Sequence, residues 1–369
     1  MAFDVFGSSL SEICMHSPLA GGRRLVWTII ANPKAGGFTI RPRRKKHFSQ
    51  LAECVQRAKQ KPLRVGNASQ TAIREGGETG RFGLILTKAP GHAAGLTDIL
   101  VEEAAAGKKA DASGKPLYLI ITAGGDGTSL EVLTSLYRAP AALREDFVVL
   151  RLPMGTGNDG SDAWELDKAL ELLIEKRDLR RQRAIKLSTA SGKGPYLAFN
   201  ILSVGLDAFV THMTNKMKGK LPGDSYKLWV DIAALFYDRV YKVGQMDVRA
   251  RDASGREVKA FREKLLLLAV GESGRRTYGS HKKILPDDRN ICAIKQMSLL
   301  RKLSLKELFA YGTHVDKPEA ILWNAHAVEF SARYPLLAQM DGEAVLLEEK
   351  DFPAVIELTD PVIQIINNK

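Results

Sequence analysis

Residues 117–137 read LYLIITAGGDGTSLEVLTSLY. Leu117–Thr122 is an apolar run of strand length, and Ser129–Tyr137 has helical spacing. Between them stands Gly124-Gly125-Asp126-Gly127-Thr128. A buried strand that passes through a glycine-rich turn into a helix is the repeating unit of a parallel α/β sheet. The flanking sequence repeats the unit. Leu25–Ala31, Gly83–Thr87 and Phe147–Leu152 read as further strands. His47–Ala58, Ala93–Ala106 and a segment near Ala163–Lys176 read as helices.

The pattern changes after about Ala184. Short β-like runs follow at Ala184–Ser188, Tyr196–Ser203, Gln245–Arg251, Lys264–Val270, Ile291–Met297, Ile321–Phe330, Ala344–Leu347 and Ala354–Leu358. Helical patterns interrupt them at Tyr226–Asp238 and Leu305–Tyr311. Short strands separated by turn signals predict a β-rich, sandwich-like domain. The expected fold class is therefore α/β, with an N-terminal parallel-sheet domain over 21–180 and a β-rich domain over 181–369. The last strands are free to return to the first domain. Gly66–Arg81 reads as a surface loop insertion.

A chain of 369 residues has room for these two cores. Apolar residues at 45% and charged residues at 26% are globular values and argue against disorder. The densest apolar run, Leu265–Val270, is far shorter than the ~20 residues of a membrane-spanning helix. The opening MAFDVFGSSLSEICMHSPLAGG lacks the basic start and apolar core of a signal peptide. Cys14, Cys54 and Cys292 are widely spaced and odd in number, as in a reducing compartment. A cytoplasmic protein is expected. The histidines form no HExxH motif and do not pair with cysteines, so no zinc site is expected.

Lys plus Arg outnumber Asp plus Glu by 54 to 42, a net charge of +12. The surplus gathers at Arg41–Lys46, Lys176–Arg183 and around Lys216–Lys220. Each cluster alone reads most simply as a solvated helix face. Together they favour anionic partners: nucleotide phosphates, or an acidic membrane surface touched peripherally and transiently. No aromatic residues are interleaved to stack bases, so nucleic acid is not expected. A homodimer is left open.

Ligands of open α/β sheets sit outside the carboxyl ends of the strands. The first such loop is Asn32-Pro33-Lys34-Ala35-Gly36-Gly37, where glycines let backbone N–H groups converge on an anion. In Gly124–Thr128 the glycines allow close approach to a polyanion, the next helix presents N–H groups, and Thr128 is a donor. Asp126 would repel a bare phosphate. It makes sense beside Mg2+ or as a handler of a hydroxyl proton. The third loop is Pro153-Met154-Gly155-Thr156-Gly157-Asn158-Asp159-Gly160. It contains a literal G-x-G-x-x-G, but not after the first strand, and no acidic residue closes a strand about twenty positions on. It reads as a second phosphate loop with Thr156 and Asn158 as donors. There is no G-x-x-x-x-G-K-[ST] and no HRD…DFG set, which excludes P-loop NTPases and protein kinases.

The order NPKAGG, TKAPGHA, GGDGT, PMGTGND, NILSVGLDA (200–208), LPGDSYKLWVDIAAL (221–235) and QMDGE (339–343) resembles the diacylglycerol kinase catalytic-domain family. That family includes bacterial soluble lipid kinases, sphingosine kinases and ceramide kinases. The resemblance runs from about Leu25 to Ile366. It implies a nucleotide-binding α/β domain, a β-rich lipid-binding domain, an active site between them, and ATP, Mg2+ and a lipid hydroxyl as reactants. It places the nucleotide against Asn32, Pro33, Lys34, Ala35, Gly36, Thr87, Gly124, Gly125, Asp126, Gly127, Thr128, Glu131, Gly155, Thr156, Gly157 and Asn158. Asp341 and Glu343 would be the catalytic acids beside Asp126, with Glu343 the proton acceptor. A structural Mg2+ loop would use Leu285, Asp288 and Asn290.

The acid pair has a chemical rationale of its own. Phosphoryl transfer needs positioning, charge neutralisation and an oriented nucleophile. A lipid alcohol gains from a carboxylate within hydrogen-bond reach. In an extended segment Asp341 and Glu343 would point to one side. Asp-Gly is equally a hairpin turn signal. Departures from the family pattern are Gly160-Ser161-Asp162 after the third loop, Glu272-Ser273 for an asparagine, and Arg289 for a glycine in the metal loop. Three other readings stay open: a phosphotransferase resembling NAD kinase, a non-catalytic lipid- or nucleotide-binding regulator, and a dinucleotide-dependent oxidoreductase resting on Gly155–Gly160 alone.

Overall fold

Every residue of Leu25–Ala31 (β1) is buried, as expected of a parallel strand covered on both faces. A computed structural model describes residues 2–70, 81–108, 115–217, 237–279 and 282–367. Most of the expected loop Gly66–Arg81, all of the motif 221–235 and most of the expected helix Tyr226–Asp238 lie outside the described residues. The chain divides into two compact units, residues 1–182 with 361–369, and residues 183–360.

In the first unit β1 is joined by β2 (Ala68–Ser69), β3 (Leu84–Leu86), β4 (Leu117–Gly124), β5 (Phe147–Pro153) and β6 (Leu179–Gln182). The sheet order is β2-β1-β4-β5-β20-β6, with β3 sharing the outer edge of β1. The strands β1 to β5 pair in parallel. β20 (Ile363–Ile366) comes back from the far end of the chain, parallel to β5 and antiparallel to β6.

Helices α1 (Ala2–Met15), α2 (Gly36–Thr39), α3 (Arg41–Lys59), α4 (His92–Lys108), α5 (Asp126–Arg138), α6 (Ala141–Arg144) and α7 (Leu166–Ile174) accompany this sheet. α1 precedes the domain start expected at residue 21. Its Phe6, Leu10, Ile13 and Cys14 are buried in one core with Trp27, Ile29, Leu119 and Leu150. The spacing of those four residues is that of an amphipathic helix face.

The second unit is β-rich and largely antiparallel. Among the described residues eleven strands run β18 (Glu343–Leu347), β17 (Leu336–Met340), β9 (Ile201–Gly205), β11 (Glu257–Gly271), β10 (Gln245–Arg251), β16 (Ala327–Ala332), β19 (Ala354–Leu358), β7 (Ile185–Thr189) and β8 (Tyr196–Ala198), with β14 (Ile291–Lys295) pairing β11 and β15 (Ala320–Trp323). β10 (Gln245–Arg251) alternates exposed and buried residues along its length, the pattern of a sheet with one wet face. β11 (Glu257–Gly271) is longer than the expected Lys264–Val270 because its polar first half also pairs, with β10. Its second half pairs with β9 (Ile201–Gly205) and β14 (Ile291–Lys295). The register shifts between Leu265 and Leu267. A strand that changes partners in this way turns the corner between two sheet layers. Residues of both layers, including Leu187, Val204, Val248, Ile291, Phe330 and Ala338, share one core.

Candidate functional site

In the first unit, three loops leave the carboxyl ends of adjacent strands β1, β4 and β5. The loop after β1 is pinned to its neighbours by its backbone. The Asn32 N–H donates to the Ala123 carbonyl at 3.0 Å and the Gly37 N–H to the Met154 carbonyl at 2.8 Å. Asn32 Oδ1 accepts the Lys34 N–H at 2.9 Å. Asn32 thus builds the turn itself, with Pro33, Lys34 and Ala35 following. Thr87, just after β3, donates its N–H to the Ala31 carbonyl at 2.8 Å.

The loops after β4 and β5 meet backbone to backbone. A Cβ on Gly155 would lie 2.6 Å from the Gly125 Cα. A Cβ on Gly124 would lie 2.4 Å from Thr128 Oγ1, so the buried Thr128 packs where a side chain would otherwise stand. Gly125 caps α5 without any side-chain hydrogen bond, leaving the helix N-terminus to the loop. Asn158 takes the left-handed conformation, φ 61°, and its Oδ1 accepts the Gly155 N–H at 2.7 Å. The Asn158 side chain therefore closes the loop with its oxygen and keeps its NH2 end as the donor. Behind the loop, buried Asp162 and Arg151 form an ion pair at 2.6 Å. Asp162 also accepts the Arg151 N–H at 2.7 Å, which ties the loop's far end to β5.

The charged groups converge on the glycines. A Cβ on Gly157 would lie 3.1 Å from Asp126 Oδ2 and 3.2 Å from Asp159 Oδ2. Asp126 Oδ1 also accepts the Gly160 N–H at 3.1 Å. A Cβ on Gly36 would lie 3.3 Å from Arg43 Nη1 and 3.6 Å from Thr156 Oγ1. Two carboxylates, a guanidinium and a hydroxyl therefore stand at glycine backbone left bare of side chains. Hard carboxylate oxygens at Asp126 and Asp159 fit Mg2+, and the bare glycine backbone fits a polyphosphate. The sequence reading missed both Arg43 and Asp159. Arg43 was grouped with a solvated basic cluster, and Asp159 stood inside a quoted motif without a role.

Glu131 needs correction as a nucleotide contact. Its Oε1 accepts the Gly91 N–H at 2.8 Å and its Oε2 the Ala93 N–H at 3.0 Å. It caps the start of α4 from α5, using both oxygens on backbone donors.

In the second unit the acidic motif lies on a hairpin. β17 (Leu336–Met340) pairs antiparallel with β18 (Glu343–Leu347). Asp341 and Gly342 both have positive φ, 45° and 100°, as a two-residue primed turn requires. Of the two readings of this segment the turn is the one observed, and the two acids part. Asp341 is buried, and its carboxylate accepts N–H groups of Phe199, Asn200 at 3.1 Å and Ile201 at 2.9 Å. Glu343 is exposed. The turn is held further by Gln339 Oε1, which accepts the Gly342 N–H at 3.0 Å, and by Asn215, which donates to the Gly342 carbonyl at 2.8 Å. Gln339 also bonds Ser203, which donates to Asp207 at 2.6 Å. A carboxylate gripped by three backbone donors is an anchor. Of the two, Glu343 is the one presented outward.

The residues of the expected metal loop do not fit a cation. Asp288 is held by Arg275, Nε to Oδ1 at 2.7 Å. Asn290 Nδ2 donates to the Ala325 carbonyl at 3.0 Å and its Oδ1 accepts the Ala325 N–H at 3.1 Å. The Asn290 carbonyl accepts the Gly271 N–H at 2.8 Å. Among the described residues no group of three or more His, Cys, Asp or Glu could hold a metal ion.

Comparison with known proteins agrees with the motif order. Residues 26–190 match the diacylglycerol kinase catalytic domain, so the resemblance holds over the first unit and into the start of the second. A protein named "Probable lipid kinase YegS-like" from Yersinia pestis (strain Pestoides F) is 32% identical over 112 residues, 29% of this chain and 35% of the relative. A protein of the same name from Yersinia pseudotuberculosis serotype O:1b (strain IP 31758) matches to the same extent. The chain thus aligns with about a third of the length of these relatives. A solved chain from Bacillus anthracis str. Sterne, named as a candidate diacylglycerol kinase, superposes with a TM-score of 0.57 at 18% identity, covering 93% of this chain and 95% of its own. Another from that organism, named a diacylglycerol kinase, gives 0.52 at 15% identity over 93% and 96%. These two establish a shared fold.

Proposed function

We propose that this chain is a lipid kinase that moves the γ-phosphoryl group of ATP, with Mg2+, onto a hydroxyl of diacylglycerol or a related lipid. The observation that carries the reading is the bare glycine backbone of three neighbouring loops, where Gly155 abuts Gly125, Asp126 and Asp159 stand at Gly157, and Arg43 and Thr156 stand at Gly36. The match of residues 26–190 supports it.

Bound Mg2+ would neutralise phosphate charge, and Asp126 and Asp159 are the residues to hold it. The glycine backbone seats the phosphates, and Arg43 and Thr156 fix them by charge-assisted and neutral hydrogen bonds. Glu343 takes the proton of the lipid hydroxyl as its oxygen bonds to the γ-phosphorus. The bond from that phosphorus to the ADP oxygen breaks, and ADP leaves. Asp341 holds the hairpin that carries Glu343. The net charge of +12 supports peripheral contact with an anionic membrane, which salt would weaken. No described helix is long and apolar enough to cross a membrane.

The test is an assay with labelled ATP, Mg2+ and a panel of diacylglycerol, ceramide, sphingoid base and NAD. Labelled phospholipid is expected, and Asp126→Ala should abolish it. Label on NAD, or on nothing while circular dichroism shows a folded protein, sinks the proposal.

A further inference from the structure

We infer that the loop 285–290 of the second unit is closed by arginine side chains in the place of a divalent cation, so that this unit folds without a structural metal. The inference concerns architecture and stands whether or not the kinase reading does. It starts from the two adjacent carboxylates, Asp287 and Asp288. Two like charges at neighbouring positions call for a counter-charge, supplied either by an ion or by side chains.

Here each carboxylate has its own guanidinium. Arg289 Nε lies 3.0 Å from both oxygens of Asp287, with Arg289 Nη2 on Oδ2 as well. The Arg289 backbone N–H adds a bond to Asp287 Oδ1 at 2.9 Å. Arg275 reaches Asp288 with Nε at 2.7 Å and Nη2 at 3.4 Å. The planar fork of arginine matches a carboxylate in this two-point manner. Two negative charges therefore meet two positive ones, the Arg289–Asp287 pair half-buried and the Arg275–Asp288 pair exposed, and an arriving divalent ion would have to displace two guanidinium groups.

The backbone is arranged for these side chains. Arg275 sits at φ 55°, a conformation uncommon outside glycine. Its N–H donates to the Asp287 carbonyl at 2.7 Å. A Cβ on Gly274 would lie 2.4 Å from that same carbonyl oxygen, so the turn 272–275 rests directly on the loop. The neighbouring Glu272 pairs with Arg276. Asn290, the remaining expected ligand, spends its carboxamide on Ala325 and its carbonyl on Gly271.

Thermal unfolding of the full chain without nucleotide tests this, in EDTA and in millimolar Mg2+ or Ca2+. The wild type should melt at the same temperature in all three. The double variant Arg275→Gly/Arg289→Gly removes the guanidinium partners of Asp287 and Asp288. It should melt a few degrees lower in EDTA and recover when Mg2+ or Ca2+ is added. Two results would overturn the inference. One is a cation-dependent rise in the wild type that Asp288→Asn abolishes. The other is a double variant that stays indifferent to both cations. Neither result bears on turnover, so failure here and failure of the kinase assay are separately visible.

Discussion

The two units hold their functional loops by opposite means. In the first, the loops after β4 and β5 are shaped chiefly by missing side chains: Gly124, Gly155 and Gly157 stand where a Cβ would collide or crowd a carboxylate. In the second, the loops are shaped by side chains that seize backbone. Asp341 grips three successive N–H groups, Asn290 brackets Ala325, and Gln339 fastens Gly342. Bare backbone suits a polyanion that must approach closely. Side-chain clamps suit a hairpin that must present one carboxylate in a fixed direction. A glycine-built loop loses function when atoms are added. A clamp-built loop loses stability when atoms are removed.

The sharpest way to break that contrast is at the hairpin. Glu343→Gln should lower kcat by roughly 10²–10⁴-fold and leave the melting temperature unchanged. Asp341→Ala should instead destabilise the protein by about 3 kcal/mol, because buried N–H groups lose their acceptor. Urea unfolding of the two variants separates them, and a destabilised Glu343→Gln beside a stable Asp341→Ala would reverse the assigned roles. Next in size is the buried pair behind the third loop. Asp162→Ala leaves Arg151 charged and buried and should cost about 3–5 kcal/mol by urea unfolding. This pair is a side-chain clamp placed beneath a glycine loop, as Asn158 Oδ1 on the Gly155 N–H is one within it. A loss near zero would mean that the loop needs no such support. Gly155→Ala forces a Cβ against Gly125 and should cost about 1–3 kcal/mol, with a clear rise in the KM for ATP. An unchanged KM would deny the glycine loop its role. Arg43→Ala should raise that KM by about tenfold, the loss of one charge-assisted contact, with kcat little changed. Equal KM values for Arg43→Ala and wild type would return Arg43 to the solvated cluster.

The contrast also explains what could be read from the chain directly. The strands Leu25–Ala31, Gln245–Arg251 and Ala354–Leu358 stand where their residues place them, because continuous or alternating apolar runs report burial locally. The glycine loops were legible for the same reason: their requirement is local, and each motif announces it within a few residues. The acidic hairpin was legible as a turn or as a catalytic pair. It is a turn, with one acid inward and one outward. The inward acid could not be recognised, since the amides that hold Asp341 lie about 140 residues upstream. Glu131 misled in the same way, because the helix it caps precedes it by some 38 residues. α1 carried a readable period at Phe6, Leu10 and Ile13, but Gly7, Ser8 and Ser9 interrupt it with weak helix formers. Arg43 was hidden by its neighbours: nothing in a run of basic residues says which one turns inward.

β20 sits between β5 and β6, although residues 183–360 separate it from β6 along the chain. A ribosome delivers β5 and β6 early and the strand that joins them last. During synthesis, then, β6 must wait without its β20 partner while the whole second unit emerges. That unit has all its strands in the chain before Ile363 is added. The glycine loops at the ends of β1, β4 and β5 stand on a sheet that is complete only when β20 has paired with β5 and β6.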